Sequence, residues 1–536
     1  MTEYPRGNFG QIKLASGSTW SAPSTEEMAR MDLLTIERGT SAGVLMKRAG
    51  LAVSQALLRR FPNARDVVVL CGPGNNGGDG LVVAKELRGC GLCVRVVVTA
   101  ADKYSEEFLL QLAEQSEVCV LDAGRTALFP PGVALRVISP EGLQVLLRRC
   151  DVVVDALLGT GQRSSPRQSI AEVIQRVEMA RSQGARFQVV SVDVPTGVDA
   201  DTGQLFTPHI SADLTVCVQA IKRGLLQFPA RAVCGAIESV SIGILEAEPC
   251  DFVALEGAAL PVLGKRRADS HKGDFGRVVV VGGSLGMPGA PSLTALAALC
   301  AGAGTVSWVT KRSWCASFAL AECMREVLSD DSDTFGPGDA EEVLSLLGRF
   351  DVVILGPGMG LTKGTGEFLS RLCDGIRVLG KRVVLDADAI NQVSILGIDL
   401  RGLDGVITPH PGEASRMLGR PTPALQANRF NSVRELWQKY GVVAVLKGAG
   451  TLVYGDQGGR IVCCGTPYLA TAGSGDVLAG IIGALCARCE SAFDAASLGV
   501  WTHAVAGIRA SEVTGGPILA SDIARAASGV IGGLEA

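Results

Sequence analysis

The segment VVVLCGPGNNGGDGLVVAKELRG, residues 67–89, reads as a short β-branched apolar run, a glycine-rich turn and an amphipathic helical stretch. An apolar run without alternation suits a strand buried on both faces of a parallel sheet, and such a turn carries the chain into a covering helix. The same pattern recurs along the chain. Strands are predicted at 67–70, 94–99, 152–156, 189–194 and 214–218, and again at 277–281, 305–309, 352–355, 383–385 and 442–446. This predicts an α/β protein with two doubly wound domains. Between the two series, EAEPCDFVALEGAALPVLG (246–264) keeps no period and contains two prolines, so the boundary is placed near residue 255, with domains at about 1–250 and 251–536.

Composition agrees with that parse. The chain has 536 residues, 47% apolar, 19% charged and 5% aromatic, which excludes a disordered chain, a collagen-like fibre and a disulfide miniprotein. The 67 glycines and 23 prolines ask for many tight loops, more than helical bundles need. Fifty basic residues against fifty-four acidic ones provide no sequence-wide positive field, so no nucleic acid partner is expected. The first twenty residues lack the basic start and apolar core of a secretory signal, which points to a cytoplasmic protein. Residues 278–310 carry no charge, but Gly282, Gly283, Gly286, Pro288, Gly289 and Pro291 cut them into strand, loop and helix, so no membrane span is expected. Of sixteen cysteines, Cys90/Cys93 and Cys486/Cys489 form CxxC pairs hundreds of residues apart; reduced, buried thiols are expected instead of zinc.

In the first domain Gly72, Gly74 and Gly77 satisfy a dinucleotide fingerprint, with Asp102 at about the expected 20-residue distance. The same glycines also suit a plain strand-to-helix turn that needs positive φ. The neighbouring Asn75, Asn76 and Asp79 add oxygens that a mere turn does not require, and oxygen clusters suit a hard cation or a ribose. Two later strand ends offer partners: DALLGTGQRSS, with Asp155, and VDVPTGVDADTG, with Asp193 and Thr196. Asp199 and Asp201 read as loop brackets. In an open α/β sheet these strand ends converge on one crevice.

GNNGGDG, DALLGTG and VDVPTGVDADTG, in this order, resemble the epimerase domain of the bifunctional NAD(P)H-hydrate repair enzymes over about residues 25–245. The resemblance implies a Rossmann-like three-layer domain in which Asn76, Asp155 and Thr196 bind potassium. It implies substrate contacts from Asn75, Gly77, Gly78, Asp79, Gly159, Thr160, Gly161, Gln162, Arg163, Ser164, Ser165 and Asp193, with Asp193 as the catalytic acid/base. Two departures stand out: Thr196 where the family usually has Ser, and Lys47 where it usually has Glu, a charge reversal expected beside the site or a subunit contact.

In the second domain HKGDFG (271–276) leads into a strand that ends in glycines, with His271 open to being a simple surface residue, and GPGMG (356–360), DADA (386–389), TPHPGE (408–413), KGAGT (447–451) and GSGD (473–476) each follow an expected strand or open an expected helix. Small residues in GSGD leave backbone N–H groups open at a helix N-terminus, which favours anions. Asp476, in the first turn, is placed to take a proton from a hydroxyl. The alternative is an acid that merely stabilises its own helix. Lys447 beside Gly448 and Gly450 supplies the cation and open backbone a nucleotide requires. His410 and Glu413 also read as a simple loop pair. GIRVLGKR (375–382) has Walker spacing but no hydroxyl for magnesium.

These six motifs resemble the NAD(P)H-hydrate dehydratases, a ribokinase-like family, over about 260–536. The resemblance implies that Lys447, Gly448, Ala449, Gly450, Thr451 and Gly475 bind nucleotide, that Ala290, Gly358, His410 and Asp476 face the hydrated nicotinamide, and that Asp476 is the catalytic base. It implies Mg2+ with ADP as phosphoryl donor, NADHX and NADPHX as substrates, and a homo-oligomer. Ala472 stands where the family usually has Gly. GSGD and KGAGT would equally serve a small-molecule kinase, and the first domain would then be a binding or scaffold module. Retention of Asn76, Asp155, Asp193 and Thr196 together argues against a dead first site.

Overall fold

The computed structural model describes residues 12–14, 20–99, 101–121, 129–246, 249–256, 259–315 and 320–535. The stretch read above for a leader therefore lies largely outside the described residues. The chain divides into two compact units, Gly10–Val253 and Ala254–Ala536.

The first unit is built on one nine-stranded, wholly parallel sheet. Its order is Ile12–Lys13, Ala236–Val240, Leu214–Val218, Gln188–Val192, Val152–Ala156, Asp66–Cys71, Cys93–Val98, Glu117–Val120 and Ala134–Val137. Side chains alternate across the central strand. Val67, Val69 and Cys71 pack in one core with Val53, Leu57, Leu81 and Leu87, and Val68 and Leu70 in the other with Val173, Ile174 and Val177. Helices thus cover both faces, which is why the strands read as unbroken apolar runs. The chain builds outward from Asp66–Cys71 in one direction, then returns to Val152–Ala156 and builds in the other. Between those two strands lies the switch point where a doubly wound sheet opens a crevice at the strands' carboxyl ends.

The second unit repeats the scheme. Met324–Val327, Thr305–Thr310, Arg277–Val281, Val352–Leu355, Arg382–Leu385, Gly405–Ile407 and Val443–Leu446 are parallel neighbours, continued by antiparallel Leu452–Gly455 and Gly458–Ile461. Its switch point lies between Arg277–Val281 and Val352–Leu355. Residues 278–310 form strand, helix Gly289–Cys300 and strand, and among the described residues no helix is long and apolar enough to cross a membrane. The Walker-like 375–382 stretch is the end of helix Lys363–Leu379, its Gly380 cap and the start of the next strand.

Every predicted strand forms. The strands that periodicity missed are mostly short or at the edges: Ala134–Val137 is exposed at all four positions, and Gly405–Ile407 has three residues. Edge strands bury at most one face, so they lose the apolar signal. The acidic loop 330–339 is more than a polar connection, because Asp330 and Asp339 hold the fully buried Lys311 ammonium at 2.5 and 2.9 Å. The cysteine expectation needs correction in part. Cys486 and Cys489 are buried, but Cys90 and Cys93, after the helix end and at the strand start, are exposed. All described cysteines are free, and among the described residues no group of three or more His, Cys, Asp or Glu is placed to hold a metal.

Candidate active sites

Strand Asp66–Cys71 passes through Gly72–Gly74 directly into helix Asn75–Gly89, so NNGGDG is helix and not loop. None of Gly72, Gly74, Gly77, Gly78 and Gly80 adopts positive φ. The turn reading is therefore corrected: here glycine supplies space. A Cβ on Gly72 would overlap the Leu157 carbonyl, and one on Gly77 the Gly72 carbonyl. This closeness brings the helix start against the end of Val152–Ala156. Asp102 is exposed, away from the crevice described next.

That crevice, of about 310 Å³, is lined by Asn75, Asn76, Asp79, Gly159, Thr160 and Asp193 from the expected set, together with Asp32, Glu107, Lys222 and an apolar wall that includes Met28, Leu45 and Ile242. Other expected residues face elsewhere. Gly78 abuts Met46, and Gln162 accepts from the Gly197 amide at 3.0 Å. Arg163 bonds Thr25 and reaches Asp201 at 3.0 Å, while Ser164 and Ser165 are exposed. Asp199 brackets its loop by accepting from the amides of Asp201 and Thr202, and Asp201 accepts from Thr25 N at 2.7 Å. Lys47 lies outside this crevice, 3.4 Å from Glu114, which also holds Lys85.

Beside the crevice, Asp155 is completely buried. It accepts from Ser191 Oγ (2.8 Å), Thr196 N (2.8 Å), Thr196 Oγ1 (2.6 Å) and Leu157 N (3.3 Å), with no basic side chain paired to it among the described residues. Burial pushes its carboxyl up, against the pull of those donors. A buried carboxylate with only neutral partners is costly, and the Thr196 hydroxyl oxygen stands 2.6 Å from it while Asn76 lies against Gly159 of the next loop. The donor set fits a hard cation such as potassium. The methyl group that Thr196 adds does not displace its hydroxyl from Asp155.

Asp193 sits at the end of strand Gln188–Val192 with φ +66°, a strained conformation for a non-glycine residue. It accepts from Val218 N at 2.9 Å and pairs with the Lys222 ammonium, whose side chain is 1% exposed. Sequence reasoning missed Lys222 and Asp32.

The second unit places a related pair at its own strand ends. Lys447 Nζ lies 2.8 Å from Asp386 Oδ1 and 3.9 Å from Glu413 Oε2, and Thr408 Oγ1 donates to Asp386 at 2.6 Å. Ala387, at φ +50°, separates Asp386 from Asp388, which accepts from Gly360 N at 2.8 Å. Asp476 stands in the first turn of helix Ser474–Cys486. Burial and the neighbouring Asp386 push its carboxyl up to about 7, and burial pushes Glu413 to about 7 as well. Burial works against the Lys447 charge, but Asp386 and Glu413 outweigh it and hold the ammonium above its ordinary range.

The backbone around these groups is open. Gly473 caps the helix at φ +83°, while Ala472 is not among the positive-φ residues, so its side chain is tolerated without strain. A Cβ on Gly475 would stand 3.3 Å from Lys447 Nζ, which puts this glycine directly against the lysine, and one on Gly358 would stand 3.4 Å from Ala290 Cβ. Gly448 and Gly450 have positive φ, and Thr451 Oγ1 donates to Gly448 O at 2.9 Å. Ala449 lies between them. His410 and Glu413 do form the loop pair: His410 Nδ1 accepts from Gly412 N and Glu413 N, and Glu413 accepts from His410 N at 2.8 Å. The His410 side chain is nevertheless half exposed, and burial with Lys447 lowers its pKa.

Two supporting groups gave no sequence signal. His503 Nε2 lies 3.0 Å from Ser474 O, and burial depresses the ring to about 4, so it stays neutral and steadies the GSGD turn. Buried Arg429 donates to Leu446 O at 3.1 Å and holds the strand end that carries Lys447. HKGDFG precedes strand Arg277–Val281 and therefore lies at the sheet's amino end, with His271 exposed and bonded to its own Asp274. It is the one motif of the six that lies at the opposite end of the sheet from this site.

Comparison with known proteins gives the same two-part division. A family model described as NAD(P)H-hydrate dehydratase matches residues 278–528, and one described as YjeF-related protein N-terminus matches 42–224. The chain is 36% identical over 506 residues to the bifunctional NAD(P)H-hydrate repair enzyme Nnr of Coxiella burnetii, covering 93% of this chain and 96% of that one. It is 38% identical over 488 residues to the Escherichia coli K12 protein of the same name, covering 89% and 87%. A solved Bacillus subtilis ADP/ATP-dependent NAD(P)H-hydrate dehydratase, co-crystallised with ATP and Mg2+, aligns with 52% of this chain and 100% of its own at 25% identity and a TM-score of 0.42.

Proposed function

Because the chain belongs to the bifunctional NAD(P)H-hydrate repair enzymes, we propose that its first unit interconverts the R and S hydrates of NADH and NADPH and that its second unit dehydrates the S form to the reduced cofactor. We further propose ADP as phosphoryl donor, with AMP and phosphate released, and the cytoplasm as the compartment. The observation that carries the dehydratase reading is Asp476 at the mouth of helix Ser474–Cys486, in the field of Lys447 and of further carboxylates.

The hydrate carries a hydroxyl on ring carbon 6, and hydroxide is a poor leaving group at neutral pH. Asp476, held near 7, takes the proton of that hydroxyl as the terminal phosphoryl group of ADP is transferred to its oxygen. Lys447 and the N–H groups of the GSGD turn face the developing negative charge. The nitrogen lone pair of the ring then expels phosphate to leave an iminium at ring carbon 6, and loss of a proton from ring carbon 5 to solvent restores the dihydronicotinamide. A magnesium ion entering with the nucleotide would be held mainly by its phosphates and by one or two carboxylates of this wall such as Asp386, and would offset diphosphate charge. In the first unit Asn76, Asp155 and Thr196 would hold potassium, which when bound balances the buried Asp155. Asp193, ion-paired with Lys222, serves as acid/base at ring carbon 6.

The test supplies the full chain with mixed R and S NADH hydrate plus ADP or ATP and follows reduced-nicotinamide absorbance. Rapid recovery of both epimers is expected. Recovery of the S fraction alone would remove the epimerase assignment, and a stable phosphorylated product without recovery would make the second unit a kinase.

A further inference from the structure

The crevice of the first unit holds more acid than its single lysine can balance. Asp32, Asp79, Asp193 and Glu107 all line it together with Lys222. Lys222 is committed: its ammonium pairs with Asp193 and donates to Val218 O at 2.9 Å. Asp32 is half buried on helix Thr25–Glu37 and, among the described residues, makes no hydrogen bond or ion pair; the same holds for Asp79. Asn76 Nδ2, in a residue 9% exposed on the same wall, is likewise without a partner. These polar groups face a cavity and not one another, as groups do when a polar ligand completes them.

Inversion at one carbon by departure and return of water needs a proton carrier on each side of the ring. The proposed function provides one, Asp193, at the sheet edge. Asp79 starts from the same edge, on the helix that follows Asp66–Cys71. Asp32 reaches the crevice from a different element, helix Thr25–Glu37, and lies within the fields of both Lys222 and Asp193.

We infer that Asp32 is the second acid/base of the epimerase, acting on the face of the nicotinamide ring opposite to Asp193; the inference rests on the epimerase reading above. In one direction the Asp32 carboxyl gives its proton to the ring-carbon-6 hydroxyl. The carbon–oxygen bond breaks with both electrons leaving on water, and the ring nitrogen lone pair forms the iminium. Water then adds to the other face, the π electrons return to nitrogen, and the Asp193 carboxylate takes the proton of the incoming water. The reverse direction exchanges the roles, so atoms and charge balance. The surroundings agree: burial raises the Asp32 carboxyl and Asp193 raises it further, against the pull of Lys222, while burial and like charge hold Asp79 well above the ordinary range.

The full chain is assayed for R-to-S conversion in oxygen-18 water, with S dehydration by the same chain as internal control. In the wild type each inversion should install solvent oxygen. Asp32→Asn should slow inversion about 10²-fold or more with S dehydration unchanged, and should abolish the decline of inversion rate at rising pH that an acid imposes. Asp32→Glu should restore part of the rate with a displaced pH limb, which a purely structural role would not produce, and keeps the test open if the Asn variant folds poorly. Asp102→Asn, at an exposed position outside the crevice, should match the wild type. Retention of the original oxygen, a wild-type rate in Asp32→Asn, or an equal loss in Asp102→Asn would each overturn the inference. A wild type that cannot interconvert R and S would instead bring down the epimerase reading itself.

Discussion

The two crevices of this chain use glycine and lysine–aspartate pairs in different ways. At the first, glycine is needed because backbone passes within contact distance of backbone: Gly72 lies against Leu157 and no glycine of the motif has positive φ. At the second, glycine is needed for conformation, with Gly473 in the left-handed region at the helix cap. Each site has a strand-end aspartate paired with a lysine and one strained residue beside or at it, Asp193 itself in the first and Ala387 in the second. They differ in what surrounds the pair. Lys222 is ion-paired with one carboxylate, Asp193, in a partly apolar crevice, whereas Lys447 lies within 4 Å of two, Asp386 and Glu413. The first arrangement suits proton traffic on an uncharged carbon, and the second suits a charged diphosphate whose metal and lysine share an acidic wall.

The contrast breaks most visibly at the proton carriers. Asp476→Asn should lower dehydration by about 10²–10⁴-fold and leave R/S exchange intact, and Asp193→Asn should do the converse, both read in the coupled absorbance assay. Loss of both activities in a folded single variant would end the two-site comparison. Next in size is Lys222→Met, which strands Asp193 without its ammonium. Breaking a buried pair costs about 3–5 kcal/mol, so denaturant unfolding should show the first unit losing most of its margin.

pH sharpens the electrostatic half of the comparison. Dehydration should rise with pH through about 7 as Asp476 becomes a base, and Asp476→Asn should lose that rise. Stability should run the other way. Asp476 and Glu413 have folded values above their unfolded ones, so their contribution is fully present below the unfolded carboxylate range near 4 and is lost as pH climbs through about 7. At pH 8 Asp476→Asn should therefore melt higher than the wild type, by a few degrees for roughly 1 kcal/mol. The smallest effect contrasts two neighbouring glycines. Gly74→Ala, with open space at its Cβ position, should shift stability by about 0.5 kcal/mol or less, whereas Gly72→Ala should shift it by several times that in the same melt.

Both sheets and most of the residues that gather at their strands' carboxyl ends were legible in linear order, whereas the strand order and its switch points were not. Buried parallel strands announce themselves as apolar runs, and strand-end motifs name their own positions. Edge strands such as Ala134–Val137 were illegible, because half-exposed residues carry no periodic signal. At the sites the misses have a common cause. Asp32, Lys222, His503 and Arg429 sit in unremarkable local sequence and gain their roles from what folds against them. His271, open in the sequence to being a plain surface residue, is exposed at the amino end of strand Arg277–Val281.

Sequence by itself determined the α/β class, the division into two units and the strand-end addresses of Asn76, Asp155, Asp193, Lys447 and Asp476, because these follow from local pattern and from the rule that doubly wound sheets bind at their carboxyl edge. Only the tertiary structure decided which glycines serve space and which serve conformation, which lysine pairs with which aspartate, and that Asp32 enters the first crevice. Those are facts of distance between segments far apart in the chain, and burial of one charge by another has no signature until the segments meet.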